Sequence, residues 1–342
     1  MRRYPAEWEP QSGVQLSWPH AHSDWAPYLN EVEPVFVQIA LHICKYEKLL
    51  LVCRDANHQQ HVMSLLADAD VDDERIQIHL LDSNDSWARD HGPISIERDG
   101  QPLLLDFVFN GWGNKFEAGL DNALTPALYK LGAFHGAKLE KHDFVLEGGG
   151  LETDGEGSLL TTRHCLLSPQ RNPQYSQAEI EDLLKQTLGL KRILWLEHGH
   201  LQGDDTDSHI DTLVRFSDPS SLVYVACDDE SDSHYEDLKA MEQELRAFTT
   251  EAGQAYRLLP LPWPKPIYDD NAQRLPASYA NFLIINGAVL VPTYRDLADQ
   301  QALDVIKQAF PRHQIIGIDC LPLIYQYGSL HCVSMNYIDG IL

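Results

Sequence analysis

The side chains most able to do chemistry lie in four short stretches spread along the 342-residue chain. Close to the C-terminus, Cys332 follows a Gly-Ser turn signal, on what the pattern predicts to be a new strand. Three upstream stretches carry polar partners: Asp90 in Asn84–Pro93, Glu147 in Leu146–Gly150, and His209 with Asp211 in Asp207–Asp211. Together the four stretches supply a thiol, an imidazole and three carboxylates.

A guanidinium group suits this set, because it is a flat cation whose N–H forks match carboxylates two bonds at a time. Its central carbon is a poor electrophile. Hydrolysis therefore needs carboxylates to fix the cation, a soft nucleophile, and an acid–base group that releases ammonia and activates water. By type, Asp90 and Asp211 are the clamps and Cys332 is the nucleophile. His209 is the acid–base group, and Glu147 orients it and holds it protonated.

Two finer expectations concern geometry and charge. In extended backbone, residues two apart project to the same face, so His209 and Asp211 would enter one pocket together. We also expect that Cys332 has a lowered pKa or pairs with His209 when substrate binds.

Each residue also has a purely structural interpretation when taken alone. A lone cysteine such as Cys332 is often a small buried hydrophobe. Asp90 could pair with Arg89 or cap a helix, and Glu147 could belong to a helix N-cap neighbourhood. His209 could be a hydrogen-bonded loop residue. Only the joint occurrence of all four favours the catalytic interpretation.

Composition limits the class of protein. The net charge of −25 argues against a nucleic-acid partner, and it is compatible with a cationic substrate as well as with solubility alone. The six cysteines form no CxxC pair, and no apolar run is long enough to span a membrane. We therefore expect a cytoplasmic enzyme that needs neither metal nor cofactor and has no membrane partner. A homo-oligomer stays open.

Short apolar runs alternate with longer amphipathic ones, which predicts a single α/β domain covering residues 1–342. Each motif follows a strand candidate or lies in a turn. The predicted strands are Lys48–Cys53, Ile76–Leu81, Leu103–Phe109, Arg192–Leu196, Leu222–Cys227, Phe282–Asn286, Ala288–Val291 and Gln314–Asp319. The predicted helices are Tyr28–Tyr46, Ala56–Ala69, Gln177–Thr187, Ser233–Ala252 and Asp296–Ala309.

Several motifs resemble, in this order, the agmatine deiminase family, which belongs with the bacterial peptidylarginine-deiminase-type enzymes. They are Asn84–Pro93, Glu147-Gly148-Gly149, Cys165–Pro173, His209-Ile210-Asp211 and Leu330-His331-Cys332. The resemblance runs from about Glu7 to the C-terminus. It implies a five-bladed α/β propeller of ββαβ units and a metal-free reaction of agmatine with water, giving N-carbamoylputrescine and ammonia, as in polyamine biosynthesis. It also implies that Cys332 forms an amidino-thioether.

One departure concerns the substrate tail. Many members of that family carry Gly-Gly-Gly-Asn-Ile-His-Cys before the nucleophile, whereas this chain has Gln326–Cys332, with a bulky Tyr327. Tyr327 is therefore expected to reshape the pocket mouth. Trp87 is expected to wall the alkyl chain of the substrate, and Asp204 or Asp205 to meet a second ammonium. An arginine or peptidylarginine deiminase with the same chemistry stays open.

Two other classes of protein remain as alternatives. His198-Gly199-His200 resembles a two-histidine ligand pair, and His209 with Asp211 would complete a metal-dependent hydrolase. The second alternative is a propeller used only as a binding module. Neither explains Cys332 together with the Asn84–Pro93 stretch.

Overall fold

The computed structural model describes all 342 residues, and its strands fall into five small sheets. The strands are β1 (Arg2–Arg3), β2 (Gln11–Ser17), β3 (Lys48–Cys53), β4 (Ile76–Leu80), β5 (Ile94–Arg98), β6 (Gln101–Val108), β7 (Lys138–Val145), β8 (Glu152–Thr153), β9 (Ser158–Thr162), β10 (Arg192–Leu196), β11 (Val214–Asp218), β12 (Ser221–Val225), β13 (Arg257–Leu261), β14 (Leu283–Ile285), β15 (Ala288–Thr293), β16 (Gln314–Asp319) and β17 (Ser334–Ile338).

The helices lie between strands or as single turns at strand ends. The longer ones are Leu29–Tyr46, Ala56–Asp68, Leu124–Lys130, Gln177–Leu188, Tyr235–Ala247 and Asp299–Ala309. The single turns of helix are Ala88–His91, Arg163–Leu166 and Leu321–Ile324, with 3-10 turns at Ala26–Tyr28, Asp73–Arg75, Asp121–Ala123, Gly148–Gly150 and Ile210–Thr212. No helix combines the length and the apolar character that crossing a membrane requires.

One topology recurs in every sheet: an antiparallel pair of strands followed, after a helix, by a third strand parallel to the second. The five units are β5-β6-β7, β8-β9-β10, β11-β12-β13, β14-β15-β16 and β17-β2-β3. The last unit takes β17 from the end of the chain and β2 from its beginning, with Ser334 opposite Leu16. The two ends of the chain are therefore joined by a strand ladder.

The central strands read as continuous apolar runs because both of their faces are covered. In β3, all residues from Leu49 to Cys53 are buried, which is typical of a strand packed on both sides. The helices between strands are amphipathic and well delimited. Helix Gln177–Leu188 begins with a capping box between Ser176 and Glu179, and it ends at Gly189, whose φ of 77° suits glycine.

The buried apolar side chains form two clusters that meet around the polar motifs. Trp87 belongs to the larger cluster, whereas its neighbour Ala88 belongs to the smaller one. Likewise, Cys332 lies in the larger cluster and Met335 in the smaller. The motifs therefore lie at the junction of two rigid cores.

The α/β class is confirmed, but three details differ from the sequence prediction. Cys332 lies in the turn before β17 and not on the strand. Asp211 lies in the 3-10 turn Ile210–Thr212, so it and His209 do not share an extended segment. Finally, the helix predicted over Ser233–Ala252 ends at Ala247, because Phe248 is extended (φ −70°, ψ 147°) and the apolar stripe alone could not locate that stop.

We expect Gly13→Ala to destabilise the fold at the junction of the chain ends. A Cβ on Gly13 in β2 would collide with the Lys48 carbonyl and lie 2.9 Å from Leu342 Cδ1. Overpacking of this kind costs about 1–3 kcal/mol, which urea unfolding would measure. The matched control is Gly119→Ala, because nothing lies within 4 Å of the added carbon there. Equal stability of the two variants would contradict the close packing of β2 on β3.

Candidate active site

The polar motifs occupy one equivalent place in the five units, just before the first strand of each antiparallel pair. These residues are Asp90 before β5, Glu147 before β8, His209 and Asp211 before β11, Asn281 before β14, and Cys332 before β17. Because the five units share one topology, the five segments that precede their first strands lie close together. The sequence analysis placed the motifs after strand candidates and missed this rule, because two of the five first strands, β8 and β14, are too short to be recognised from their pattern.

Asn281, which the sequence analysis did not single out, holds the turn that carries Cys332. Its Oδ1 accepts hydrogen bonds from the backbone N–H of His331 (2.9 Å) and of Cys332 (3.4 Å). Its Nδ2 lies 3.3 Å from Cys332 Sγ. The only signal available in the sequence was its position two residues before β14, equivalent to that of Cys332 before β17.

Cys332 is a neutral thiol in the free protein. Burial raises its pKa well above the ordinary value, and the negative charges of Asp211 and Asp90 raise it further. The expected lowering of its pKa is therefore wrong for the free protein. Pairing with His209 on substrate binding stays a prediction.

The two clamp carboxylates are buried and held differently. Asp90 accepts from the Trp112 indole N–H and from the Gly149 backbone N–H, both at 3.0 Å. Asp211 Oδ2 accepts from His331 Nδ1 at 2.7 Å and lies 3.9 Å from Cys332 Sγ. The other oxygen, Asp211 Oδ1, is buried without a partner. A buried acceptor left unpaired is costly, so this oxygen is a ready site for an incoming N–H donor.

Gly149 explains why the Leu146–Gly150 stretch needs glycine. A Cβ there would lie 2.5 Å from His209 Nδ1, 2.9 Å from Asp90 Oδ1 and 3.1 Å from Asp211 Oδ2. The imidazole and both clamp carboxylates therefore converge on one backbone position. Any side chain would push them apart.

His209 is fully buried between two carboxylates. Its Nδ1 lies 3.5 Å from Asp90 Oδ1, and its Nε2 lies 3.7 Å from Glu147 Oε2, and neither nitrogen has a hydrogen bond. Burial alone would lower its pKa, but Asp90, the Cys165 sulfur and Glu147 outweigh that cost and raise the pKa well above the ordinary value. His209 is therefore an imidazolium that can give a proton.

Glu147 is bound mainly by Arg171 and not by His209. Arg171 Nε donates to both carboxylate oxygens, at 3.1 and 2.8 Å, and its Nη1 donates to Asp207 at 2.6 Å. Burial alone would raise the pKa of Glu147, yet His209 and Arg171 hold it below the ordinary value. Glu147 thus stays ionised beside the imidazolium. Arg171 lies in the Cys165–Pro173 stretch, where only the resemblance had marked it.

The backbone around Trp112, whose indole contacts Asp90, has an unusual conformation. Gly111, Trp112, Gly113 and Asn114 all have positive φ, between 55° and 86°, and form one left-handed turn. Such a conformation is strained for a bulky residue and favoured by glycine and asparagine. Asn110 stabilises the turn by accepting from the Gly113 N–H at 2.9 Å. The strain directs the indole at a clamp, which is typical of a functional site.

A pocket of about 400 Å³ opens over Cys332. Its lining contains four aspartates and no lysine or arginine: Asp24, Asp85, Trp87, Asp90, Trp112, Phe116, Asp205, Thr206, Gln326, Tyr327, Gly328 and Cys332. Trp87 walls it as expected, and Gly328 allows that ring to pack directly on the backbone. Tyr327, with a φ of 66°, lines the pocket beside it.

Asp204, which was expected to meet the second ammonium, does not line this pocket. The Asp204 carboxylate accepts from the backbone N–H of Thr206 (3.1 Å) and of Ser208 (2.7 Å), so it stabilises its own loop. Asp205 lines the pocket instead. The sequence could not separate these neighbours, since the loop backbone decides which carboxylate is consumed locally.

The histidines proposed as metal ligands do not converge with the site. His198 and His200 are exposed and pair with Glu244 and Asp237. The one group with metal-ligand spacing is Glu147, Cys165 and His209, whose ligand atoms lie within 4.8 Å of one another. Both oxygens of Glu147 already accept from the Arg171 guanidinium, so an ion would have to displace a buried cation.

Comparison with known proteins gives one consistent result. Residues 3–337 match the model of the Porphyromonas-type peptidyl-arginine deiminase family. The structure of a Porphyromonas gingivalis protein provisionally named an arginine deiminase is 53% identical, with full coverage of both chains and a TM-score of 0.95. A C. jejuni agmatine deiminase with a Cys-to-Ser substitution and bound substrate is 40% identical over 100% of this chain and 98% of that one, with a TM-score of 0.92.

A curated relative agrees with these structures. The agmatine deiminase of Pseudomonas aeruginosa is 32% identical over 358 residues, covering 98% of this chain and 95% of the relative. The mixed α/β architecture and the site define the chain as a protein of the guanidino-hydrolase class. It belongs to the Porphyromonas-type peptidyl-arginine deiminase family.

We expect chloroacetamidine to alkylate Cys332 before any other cysteine. Its amidinium imitates a guanidinium between Asp90 and Asp211, and the other five cysteines do not line the pocket. Neutral chloroacetamide, the matched control reagent, should react at least tenfold more slowly, since it lacks the charge-assisted hydrogen bonds. Peptide mass mapping reports the labelled residue. Preferential labelling of Cys165, or equal rates with both reagents, would contradict this placement.

Proposed function

We propose that this protein hydrolyses agmatine to N-carbamoylputrescine and ammonia through a covalent intermediate on Cys332. The observation that carries the proposal is the pocket lining, in which four aspartates and four aromatic side chains surround a thiol without any lysine or arginine. Agmatine has a cation at each end and no carboxylate, so it matches this lining. The relatives named agmatine deiminases support the same substrate.

The proposed pose places the guanidinium between Asp90 and Asp211. Asp211 Oδ1, which lacks a partner, accepts one N–H, and the alkyl stem lies along Trp87 and Phe116. The distal ammonium then reaches Asp85 and Asp205 near the mouth. Burial and the nearby Asp204 raise the pKa of Asp205 to about 7, so binding an ammonium there favours its ionised form.

The proposed chemistry follows from the charges. A bound guanidinium offsets the two carboxylates that disfavour the thiolate, so Cys332 releases its proton to solvent when substrate is present. The sulfur adds to the guanidinium carbon, and His209 protonates one amino group, which leaves as ammonia. An amidino-thioether remains. Neutral His209 then takes a proton from water, whose oxygen adds to the same carbon. The C–S bond breaks and the remaining hydroxyl proton passes to the sulfur, which gives the ureido product and the Cys332 thiol.

Two structural expectations enter the proposal as well. We infer that the five units close into a five-bladed propeller forming one domain over residues 1–342. Two observations support this: β17 pairs with β2, and the segments just before the first strands of the five units meet at one site. Six free cysteines support a reducing compartment, and we place the protein in the cytoplasm. A homo-oligomer is compatible with this arrangement.

The second candidate is an arginine or peptidylarginine deiminase with the same chemistry. The provisional name of the P. gingivalis structure favours it. Such a substrate brings an α-carboxylate or a peptide chain to the mouth, where Asp24, Asp85 and Asp205 would meet it. Repulsion between carboxylates makes this candidate the weaker one.

A ureido-product assay over agmatine, arginine, a peptide with C-terminal arginine and methylated arginines tests the proposal. We expect kcat/KM for agmatine to exceed the others by at least ~100-fold, the discrimination expected when a buried charged partner is missing. Asp205→Asn should lower kcat/KM for agmatine about tenfold and leave arginine unchanged or improved. The control, Asp182→Asn, changes an exposed helix carboxylate. Arginine as the best substrate would overturn the proposal.

The pH dependence of kcat/KM should report Asp90. Burial and the charges of Asp211 and Glu147 raise its pKa to about 6, although His209 opposes the shift. Because only the carboxylate binds a cation, kcat/KM should fall as the pH drops through about 6. Asp90→Asn should remove this limb and cost roughly 2–5 kcal/mol in transition-state stabilisation. A profile that stays flat through this range in the parent protein would contradict the clamp role.

A further inference from the structure

We propose that His331 is a positioning residue: an imidazolium held between Glu7 and Asp211, it keeps Asp211 ionised and turns one of its oxygens toward the substrate. The inference rests on the proposed function, in which Asp211 grips the guanidinium. It also makes the N-terminal segment, through Glu7, part of the machinery that prepares the pocket.

The geometry fixes the charge of His331 by hydrogen-bond logic. Its Nδ1 lies 2.7 Å from Asp211 Oδ2, and its Nε2 lies 2.8 Å from Glu7 Oε2. An ionised carboxylate only accepts hydrogen bonds, so both ring nitrogens must donate. A ring that donates from both nitrogens is an imidazolium. The His331 side chain is 2% exposed, so both contacts are made inside the protein.

Glu7 is anchored firmly enough to hold the imidazole. Its Oε2 also accepts from Arg215 Nη2 at 3.0 Å, and its Oε1 accepts from the Ile284 backbone N–H at 2.8 Å. Arg215 in turn donates to Glu152 at 2.7 Å. Burial alone would raise the pKa of Glu7, yet His331 and Arg215 hold it well below the ordinary value. The side chains of Asp211, His331, Glu7, Arg215 and Glu152 therefore alternate in charge.

His331 affects both the pKa of Asp211 and the orientation of its carboxylate. Burial alone would raise its pKa, but the hydrogen bond and charge of His331 outweigh that cost and hold the pKa below the ordinary value. The same bond occupies Oδ2 and leaves Oδ1 without a partner. His331 therefore prepares both the charge and the orientation of the clamp.

Other charged groups face this pair and must be counted in any titration. They are Arg89 and Arg215 beside Glu7, Glu152 beyond Arg215, and His209, Asp90 and Cys332 around Asp211. Arg89 lies 3.8 Å from Glu7 and keeps its backbone N–H on the Cys332 carbonyl at 3.1 Å. None of these groups replaces the hydrogen bond that His331 gives to Asp211.

The first test compares two substitutions that each keep half of the contact. His331→Gln retains a donor near Nε2 for Glu7 and loses the bond to Asp211, whereas His331→Asn retains a donor near Nδ1. We expect kcat/KM to fall at least ~100-fold in His331→Gln and about tenfold in His331→Asn, mainly through KM. Because a lost positive charge raises the pKa of Asp211 toward that of Asp90, the acid limb of kcat/KM, which Asp90 sets in the parent protein, should become steeper.

The second test asks whether Glu7 acts through His331. Glu7→Gln should weaken agmatine turnover several-fold in the parent protein and have no further effect in His331→Asn. If the losses in kcat/KM from the two substitutions add in the double variant, Glu7 does not act through His331 and the inference fails. The matched control is His234→Asn, which removes a buried histidine bonded to Asp232 at 2.8 Å and lining no part of the Cys332 pocket. It should change thermal stability without moving KM or the pH profile.

A third measurement uses only the parent protein, so misfolding of a variant cannot affect its result. In the parent protein labelled with ¹⁵N-histidine, His331 should show two protonated ring nitrogens, and a neutral His331 ring would refute the inference. This readout needs no turnover. If no guanidino compound is hydrolysed, the proposed function fails while the NMR signal still decides the charge of His331. If agmatine is hydrolysed and the variants keep parental KM and pH profiles, only the inference fails.

Discussion

The centre of this protein is a set of buried charges, and a buried charge is tolerated only when an opposite charge or several hydrogen bonds accompany it. Glu147 has Arg171 and Asp211 has His331, and in each pair the partner comes from a different part of the chain. Asp211 precedes β11 and His331 precedes β17, so a displacement of one of these units against the other would leave the buried Asp211 carboxylate without its partner. The charge balance of the pocket and the packing of the units are therefore one requirement.

The exceptions to this balance mark the place where chemistry happens. Asp211 Oδ1 has no partner, neither nitrogen of His209 has a hydrogen bond, and the Cys332 thiol is held neutral by the carboxylates around it. A flat cation carrying several N–H donors relieves the first and the third of these deficits, since it satisfies the oxygen and offsets the negative charge around the thiol. Substrate binding can thereby activate the nucleophile, which keeps the thiol unreactive until the pocket is filled.

Much of the site was accessible from the sequence, because its residue types are rare in combination and each lies beside a turn signal. Trp87 lines the pocket, and Asp90, His209 and Asp211 converge on Gly149. Asn281 and Trp112 were missed for different physical reasons. An asparagine before a short strand carries no local signal, and the hydrogen bond from the Trp112 indole to Asp90 joins residues 22 positions apart, which a local pattern does not show.

By itself, the sequence determined the α/β class and the chemical inventory: apolar runs specify buried strands, and thiol, imidazole and carboxylates specify the reactions available. Only the tertiary structure decided which groups meet, which carboxylate is consumed by its own loop, and which charge each group carries. The contrast between Asp204 and Asp205 and the neutral state of Cys332 both depend on burial and on neighbours distant in the chain. Local pattern fixes what a residue can do, whereas desolvation and long-range pairing, which exist only after folding, fix what it does.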